Sequence, residues 1–192
     1  MTARWIQTLE RKKLDQRYLT VEAVGSIEEI AHSLAGEFRF NRMTRQRYSV
    51  AEHAVRGSHL LAPVFAGAFL LHELSETYAP DIPAPLKPFL SITMDDGSVI
   101  PWVELERRHT HTILEALGLL SIETLIYSPE VRHMDLAMLA AEKRDLHDPY
   151  GPEPESWGLV VPPSASTVNP WSCDAAEAAF LERFHTLFTK RP

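Results

Sequence analysis

The segment Pro63–Lys87, PVFAGAFLLHELSETYAPDIPAPLK, constrains the fold more than any other. Pro63 suits a first helical position, and the residues after it are apolar nearly all round, so the segment predicts a helix central to the fold. Prolines at 80, 83 and 85 must break that helix. Into this apolar run come His72, Glu73 and Glu76. On a continuous helix His72 and Glu76 are four apart and Glu73 and Glu76 three apart, so their side chains share one sector. Burying an imidazole and carboxylates among Phe69, Leu70, Leu71 and Leu74 costs several kcal/mol unless a counter-charge or a metal compensates. The alternative is an amphipathic helix whose polar sector faces solvent.

Other helices are announced by their starts. Ser26 and Glu29 stand at capping-box spacing before an apolar stripe of Ile27, Ile30, Ala31 and Leu34. Ser49 and Glu52 repeat the spacing, placing His53 in the first turns of a helix to about Leu61. Further helices are expected from about Pro101 to Leu117 with Gly118 as cap, from Pro129 to Leu146, and from Asp174 to Thr189. MDDGS (94–98) reads as a turn, and a Pro/Ser-rich strap covers 149–171. Strand signals are confined to RYLTVEAV near the start and WGLVV near the end. The expectation is an all-α single domain over 1–192.

A net charge of −7 with both signs interspersed offers no cationic footprint for a nucleic-acid polymer or an anionic membrane. The single cysteine, Cys173, excludes an intrachain disulfide and a Cys-rich zinc site. The N-terminus lacks a signal-peptide apolar run and no stretch suits a membrane span, so a cytoplasmic protein is the default. His53 and Asp135 each sit among apolar residues on separate predicted helices, and a bundle can turn such side chains onto one point. Two imidazoles and two carboxylates form a mixed N/O set, suited to Mn, Fe, Co or Zn rather than Ca or Mg.

YSVAEH, then LLHE with its histidine nineteen residues after His53, then MDLAMLAAEKRDL, resemble the HD-domain metal-dependent phosphohydrolases. More narrowly they resemble the small HD nucleotide hydrolases, bacterial deoxyribonucleoside 5′-nucleotidases and phage dATP triphosphohydrolases. The resemblance runs from IEEIAHSLAGEFRF to PWSCDAAEAAFLERFHTLF. It implies an HD-type helical bundle, one divalent metal, and hydrolysis of a nucleotide phosphate ester or anhydride. It implies His53, His72, Glu73 and Asp135 as metal ligands, with Glu73 a departure because the family has aspartate there. Glu76 is implied as general acid or base, and Asp81 as a rim residue orienting the sugar or protonating the leaving oxygen. Arg39 and Lys87 are implied as phosphate contacts; Phe40, just after Arg39, is a candidate to pack against a nucleobase. Pairing into a homodimer is implied in the same way. The altered ligand leaves open a non-catalytic module that binds a nucleotide or a partner protein. Arg42, Arg45 and Arg47 would suit a longer phosphate chain. His109 and His111, two apart on a helix, cannot share a ligand site and are expected to be exposed.

Overall fold

The computed structural model describes residues 4–147, 157–159, 161–164 and 167–189, and these form a single, mostly helical domain. Helix α1 (Ile27–Gly36) starts where the Ser26 hydroxyl accepts the Glu29 N–H, and α2 (Val50–Leu60) where Ser49 accepts the Glu52 N–H. Neither glutamate closes its capping box. Glu29 accepts from the Glu10 N–H and the Tyr78 hydroxyl, and Glu52 from Arg56 and the Trp171 N–H. Each helix start is thereby tied to a distant segment.

Helix α3 (Pro63–Leu70) is shorter than the sequence pattern predicts. Leu71 and Glu73 leave helical geometry, with φ/ψ of −108°/10° and −103°/22°, and Leu74–Thr77 form a 3-10 turn. The His72 side chain accounts for the break. Its Nδ1–H donates at 2.6 Å to the Phe69 carbonyl, the group that a continuing helix would offer to the Glu73 N–H. The sector argument for His72 and Glu76 on one helix therefore fails, although Glu73 and Glu76 stay aligned because a 3-10 turn eclipses residues three apart.

The remaining helices are α4 (Trp102–Ala116), α5 (Glu123–Ile126), α6 (Pro129–Leu146) and α7 (Cys173–Phe188). Helix α7 packs across α1, α2 and α3, with α6 against α2 and α3. The core they enclose holds Ile30, Leu34, Val55, Phe69, Leu74, Ile113, Leu114, Met138 and Phe180. Gly57 matters here, because a Cβ at that position of α2 would overlap the Phe69 ring of α3. No helix among the described residues is long and apolar enough to cross a membrane.

Two hairpins, β1 (Ile6–Gln7) with β2 (Lys13–Leu14) and β3 (Ser91–Thr93) with β4 (Val99–Pro101), lie outside the helical core. MDDGS is the turn of the second. The strand expected within RYLTVEAV is a 3-10 turn, Val21–Ala23, closed by the Ala23 and Val24 N–H groups on the Thr20 and Val21 carbonyls. WGLVV shows no strand at 157–159 or 161, and Val160 lies outside the described residues, as does much of the 149–171 strap. His109 is buried, not exposed: α4 packs against the N-terminal segment, where its Nε2–H donates to the Gln16 carbonyl at 2.7 Å. His111 is exposed and pairs with Glu123.

Candidate metal centre and the cavity beside it

Three separate segments bring four side chains together. His53 comes from α2, His72 and Glu73 from the turn that ends α3, and Asp135 from α6; one donor atom from each lies within 4.8 Å of all the others. His53 Nε2 is 3.4 Å from His72 Nε2 and 3.3 Å from Asp135 Oδ1. His72 Nε2 is 3.5 Å from Glu73 Oε1 and 3.8 Å from Asp135 Oδ1. Donors about 2.1 Å from a common ion lie roughly 3.0–3.4 Å apart when adjacent and about 4.2 Å when opposite, so the spacing suits one cation.

The outer nitrogens support the same conclusion. A carbonyl can only accept, so Phe69 fixes the His72 proton on Nδ1 and leaves a lone pair on Nε2. His53 Nδ1 lies 2.5 Å from Glu142 Oε1, wholly buried, which orients its Nε2 toward His72. Two imidazole lone pairs facing each other at 3.4 Å require a positive charge between or on them. Without a metal a proton takes that role: burial and Arg39 pull His53 down, but Glu142 and Asp135 overcome them and push it up to about 9. Burial acts against ionised Asp135 as well, yet the His53 and His72 imidazoles beside it hold its carboxyl well below the usual range. The residues present fit a metal, and Glu73 joins them despite its extra methylene.

Arg39 links this centre to its surroundings. Its Nε lies 3.2 Å from Glu142 Oε2 and its Nη1 3.3 Å from Glu73 Oε1. The Arg39 N–H donates to the Tyr48 carbonyl, in a short bridge that also pairs Phe38 with Ser49 and places Arg39 just outside α2. Phe40, Asn41 and Arg42 follow with φ of 58°, 50° and 65°, three left-handed residues without a glycine. Such backbone costs about 1–3 kcal/mol per residue.

A cavity of about 610 Å³ opens beside the centre. Glu73, Asp135, Arg39, Phe40, Glu76, Asp81 and Lys87 all line it, so the structure gathers these sequence-predicted residues around one space, with the fully buried His53 and the part-buried His72 outside its lining. Glu76 is buried with Oε2 unpartnered among the described residues. Burial and the neighbouring Glu73 and Asp81 carboxylates push it well above its ordinary range. Burial raises Asp81 as well. Lys87 reaches the cavity with its ammonium held 2.8 Å from Glu106. Arg42, Arg45 and Arg47 are exposed and absent from the lining. Arg45 bonds the Asp145 carbonyl and Arg47 covers Phe38.

No protein-family model matches the chain. Among known proteins, the Escherichia coli (strain K12) protein YfdR, itself described as uncharacterized, is 35% identical over 165 residues, spanning 84% of this chain and 83% of the relative. The chain belongs to the YfdR family. For this YfdR-family chain, sequence reasoning missed Glu142, which holds both His53 and Arg39. A signal existed: Glu142 lies seven residues, two helical turns, after Asp135 and follows the apolar stretch LAMLAA. Also missed were His147 and Trp157 on the cavity wall.

Proposed function

We propose that this protein is an HD-type, metal-dependent phosphohydrolase acting on a nucleotide in the cytoplasm. The observation that carries the reading is the convergence of His53, His72, Glu73 and Asp135 on one point beside a cavity that also presents Arg39, Lys87 and Glu76. A single divalent ion of the Mn, Fe, Co or Zn type supplies Lewis acidity there, lowering the pKa of a water and polarising a phosphoryl oxygen.

The chain's own residues do the rest. Arg39 presents a planar guanidinium to a phosphate, already oriented by Glu142 and Glu73. Lys87 adds a point charge from the Pro-rich stretch of the wall. Glu76, a carboxyl held above its ordinary range, exchanges a proton with the attacking water. Asp81 orients the sugar or protonates the leaving oxygen, and Phe40 packs on the base. With two cations on the wall and Arg42, Arg45 and Arg47 turned away, a monophosphate ester is better supported than a triphosphate.

One observation favours a second reading, a nucleotide-binding module without catalysis: Glu73 already has Arg39 as an ion-pair partner. Metal analysis of the purified protein, with phosphate release from ribo- and deoxynucleotides of one to three phosphates in Co, Mn, Zn and Mg, separates the two. Hydrolysis that is lost in His53→Ala supports the enzyme. A protein that binds nucleotide but releases no phosphate with any ion is the module. Sedimentation of the same preparation tests the expected homodimer.

A further inference from the structure

Helix α6 supplies one wall of the cavity. Asp135 stands at the metal end, Leu139 one turn on, and His147 just past the helix, roughly 17 Å along the axis from Asp135. At that second end three rings meet. Phe40 and His147 have centroids 5.0 Å apart and nearly perpendicular planes, His147 and Trp157 are 5.1 Å apart, and Phe40 and Trp157 6.1 Å. Met43, Leu139 and the Ile82–Pro85 stretch complete an apolar surround. His147 Nε2 lies buried with no hydrogen-bond partner among the described residues.

We propose that Trp157 and His147 complete a nucleobase subsite with Phe40, the rings gripping the base and His147 Nε2 bonding a polar group on its edge. This inference rests on the nucleotide reading above and adds to it the residues that decide which nucleotide is taken. Three arguments support it. An unpartnered buried nitrogen carries a desolvation cost that a ligand group removes. Every base offers a π-face, so a ring trio recognises bases where it would gain nothing from a bare sugar phosphate. The left-handed backbone at Phe40 to Arg42 lies where it turns one ring of the trio toward the other two, and strain of this sort collects at binding sites. Burial and the nearby Lys143 ammonium hold the His147 imidazole neutral, so Nε2 can be tuned to accept or donate by the choice of tautomer.

The test is calorimetric binding of the four deoxynucleoside monophosphates and of 2-deoxyribose 5-phosphate to the full chain, beside a phosphate-release assay on the same ligands. Wild type should bind at least one nucleotide more tightly than the sugar phosphate. Trp157→Ala should lower that preference by roughly ten- to hundred-fold, the scale of one lost base-stacking contact. His147→Phe keeps a ring and deletes the nitrogen. It should retain the preference for nucleotide over sugar phosphate but flatten discrimination among the four bases. If wild type binds nucleotides and sugar phosphate alike, or both variants keep the wild-type ratios, the subsite is wrong. If base preference is present and sensitive to these variants while no divalent ion supports phosphate release, the hydrolase reading fails and the subsite stands.

Discussion

The two halves of the candidate metal centre are built in opposite ways. His53 and Asp135 project from regular helices, α2 and α6, whose starts are set by Ser49 and Ser128 and whose apolar faces lock their rotation. His72 and Glu73 stand where a helix fails, and the failure comes from the candidate ligand itself, since His72 takes the carbonyl that the next turn needs. The regular half is held by packing and a buried carboxylate, Glu142. The irregular half is held by one side-chain to backbone bond, by the Arg39 guanidinium on Glu73 and by the Phe69 ring, whose centroid lies 4.4 Å from that of His72 and 5.5 Å from that of His53. A fold that needed only stability would have continued α3. Breaking it aims Glu73 and Glu76, three apart on the 3-10 turn, into the cavity.

That contrast is most sharply tested by deleting a ligand from the regular half. His53→Ala should abolish bound metal and turnover together, with metal affinity down by more than about 100-fold, because outer partners alone are worth roughly 10–100-fold. Metal content by elemental analysis reads it directly. From the irregular half, Glu76→Gln should lower kcat by about 10²–10⁴ with metal still bound, the usual contribution of a positioned acid or base. The same substitution should raise stability of the metal-free protein. Glu76 titrates above its ordinary 4.5 in the folded state. Below that value both states carry the proton; as pH rises past it the unfolded chain ionises first, and the stabilisation is lost. Thermal melts in chelator should therefore coincide for wild type and Glu76→Gln at low pH and diverge above 4.5, with the variant higher.

Legibility followed the same division. Helices with a cap and an apolar stripe were readable to within a residue or two: α1 begins where Ser26 places it, and α2, α4, α6 and α7 begin and end close to the expected Ser49–Leu61, Pro101–Leu117, Pro129–Leu146 and Asp174–Thr189 spans. The break after Leu70 was not readable, because Leu, His, Glu and Leu are all acceptable helix residues and only a tertiary choice of acceptor for His72 ends the helix. The β3–β4 hairpin escaped for a related reason: its three-residue strands are too short for period-two alternation to register. The clustering of His53, His72, Glu73 and Asp135 was legible because ionisable residues amid apolar ones require a partner. Glu142 obeys that rule too, and went unread because no family motif pointed to it. The buried His109 shows the rule's limit, since its partner is a backbone carbonyl that no spacing reveals.

Glu142 also supplies the next test of the regular half. Glu142→Gln keeps the shape and removes the charge that orients His53 and Arg39, so metal affinity should fall by about 10–100-fold. Glu142→Asp should restore part of it if charge is what matters. A competition titration against a chelator measures both, and equal affinity in wild type and Glu142→Gln would show that packing alone aims His53.

The smallest effect is expected at Glu73, where the HD-domain hydrolases that the sequence resembles have aspartate. Glu73 reaches its position from a residue with φ/ψ of −103°/22°, outside α3, and its carboxylate is shared with Arg39 at 3.3 Å. Shortening it in Glu73→Asp draws the oxygen back by roughly one C–C bond, about 1.5 Å. If the turn relaxes to follow, metal stays bound and turnover changes by less than about ten-fold, the equivalent of ~1.4 kcal/mol. A much larger loss would mean that the longer side chain and the broken helix are matched to each other, so that neither can change alone. Metal stoichiometry measured beside kcat separates the outcomes, because a mismatched ligand releases the ion whereas a mispositioned Arg39 raises KM with the ion still in place.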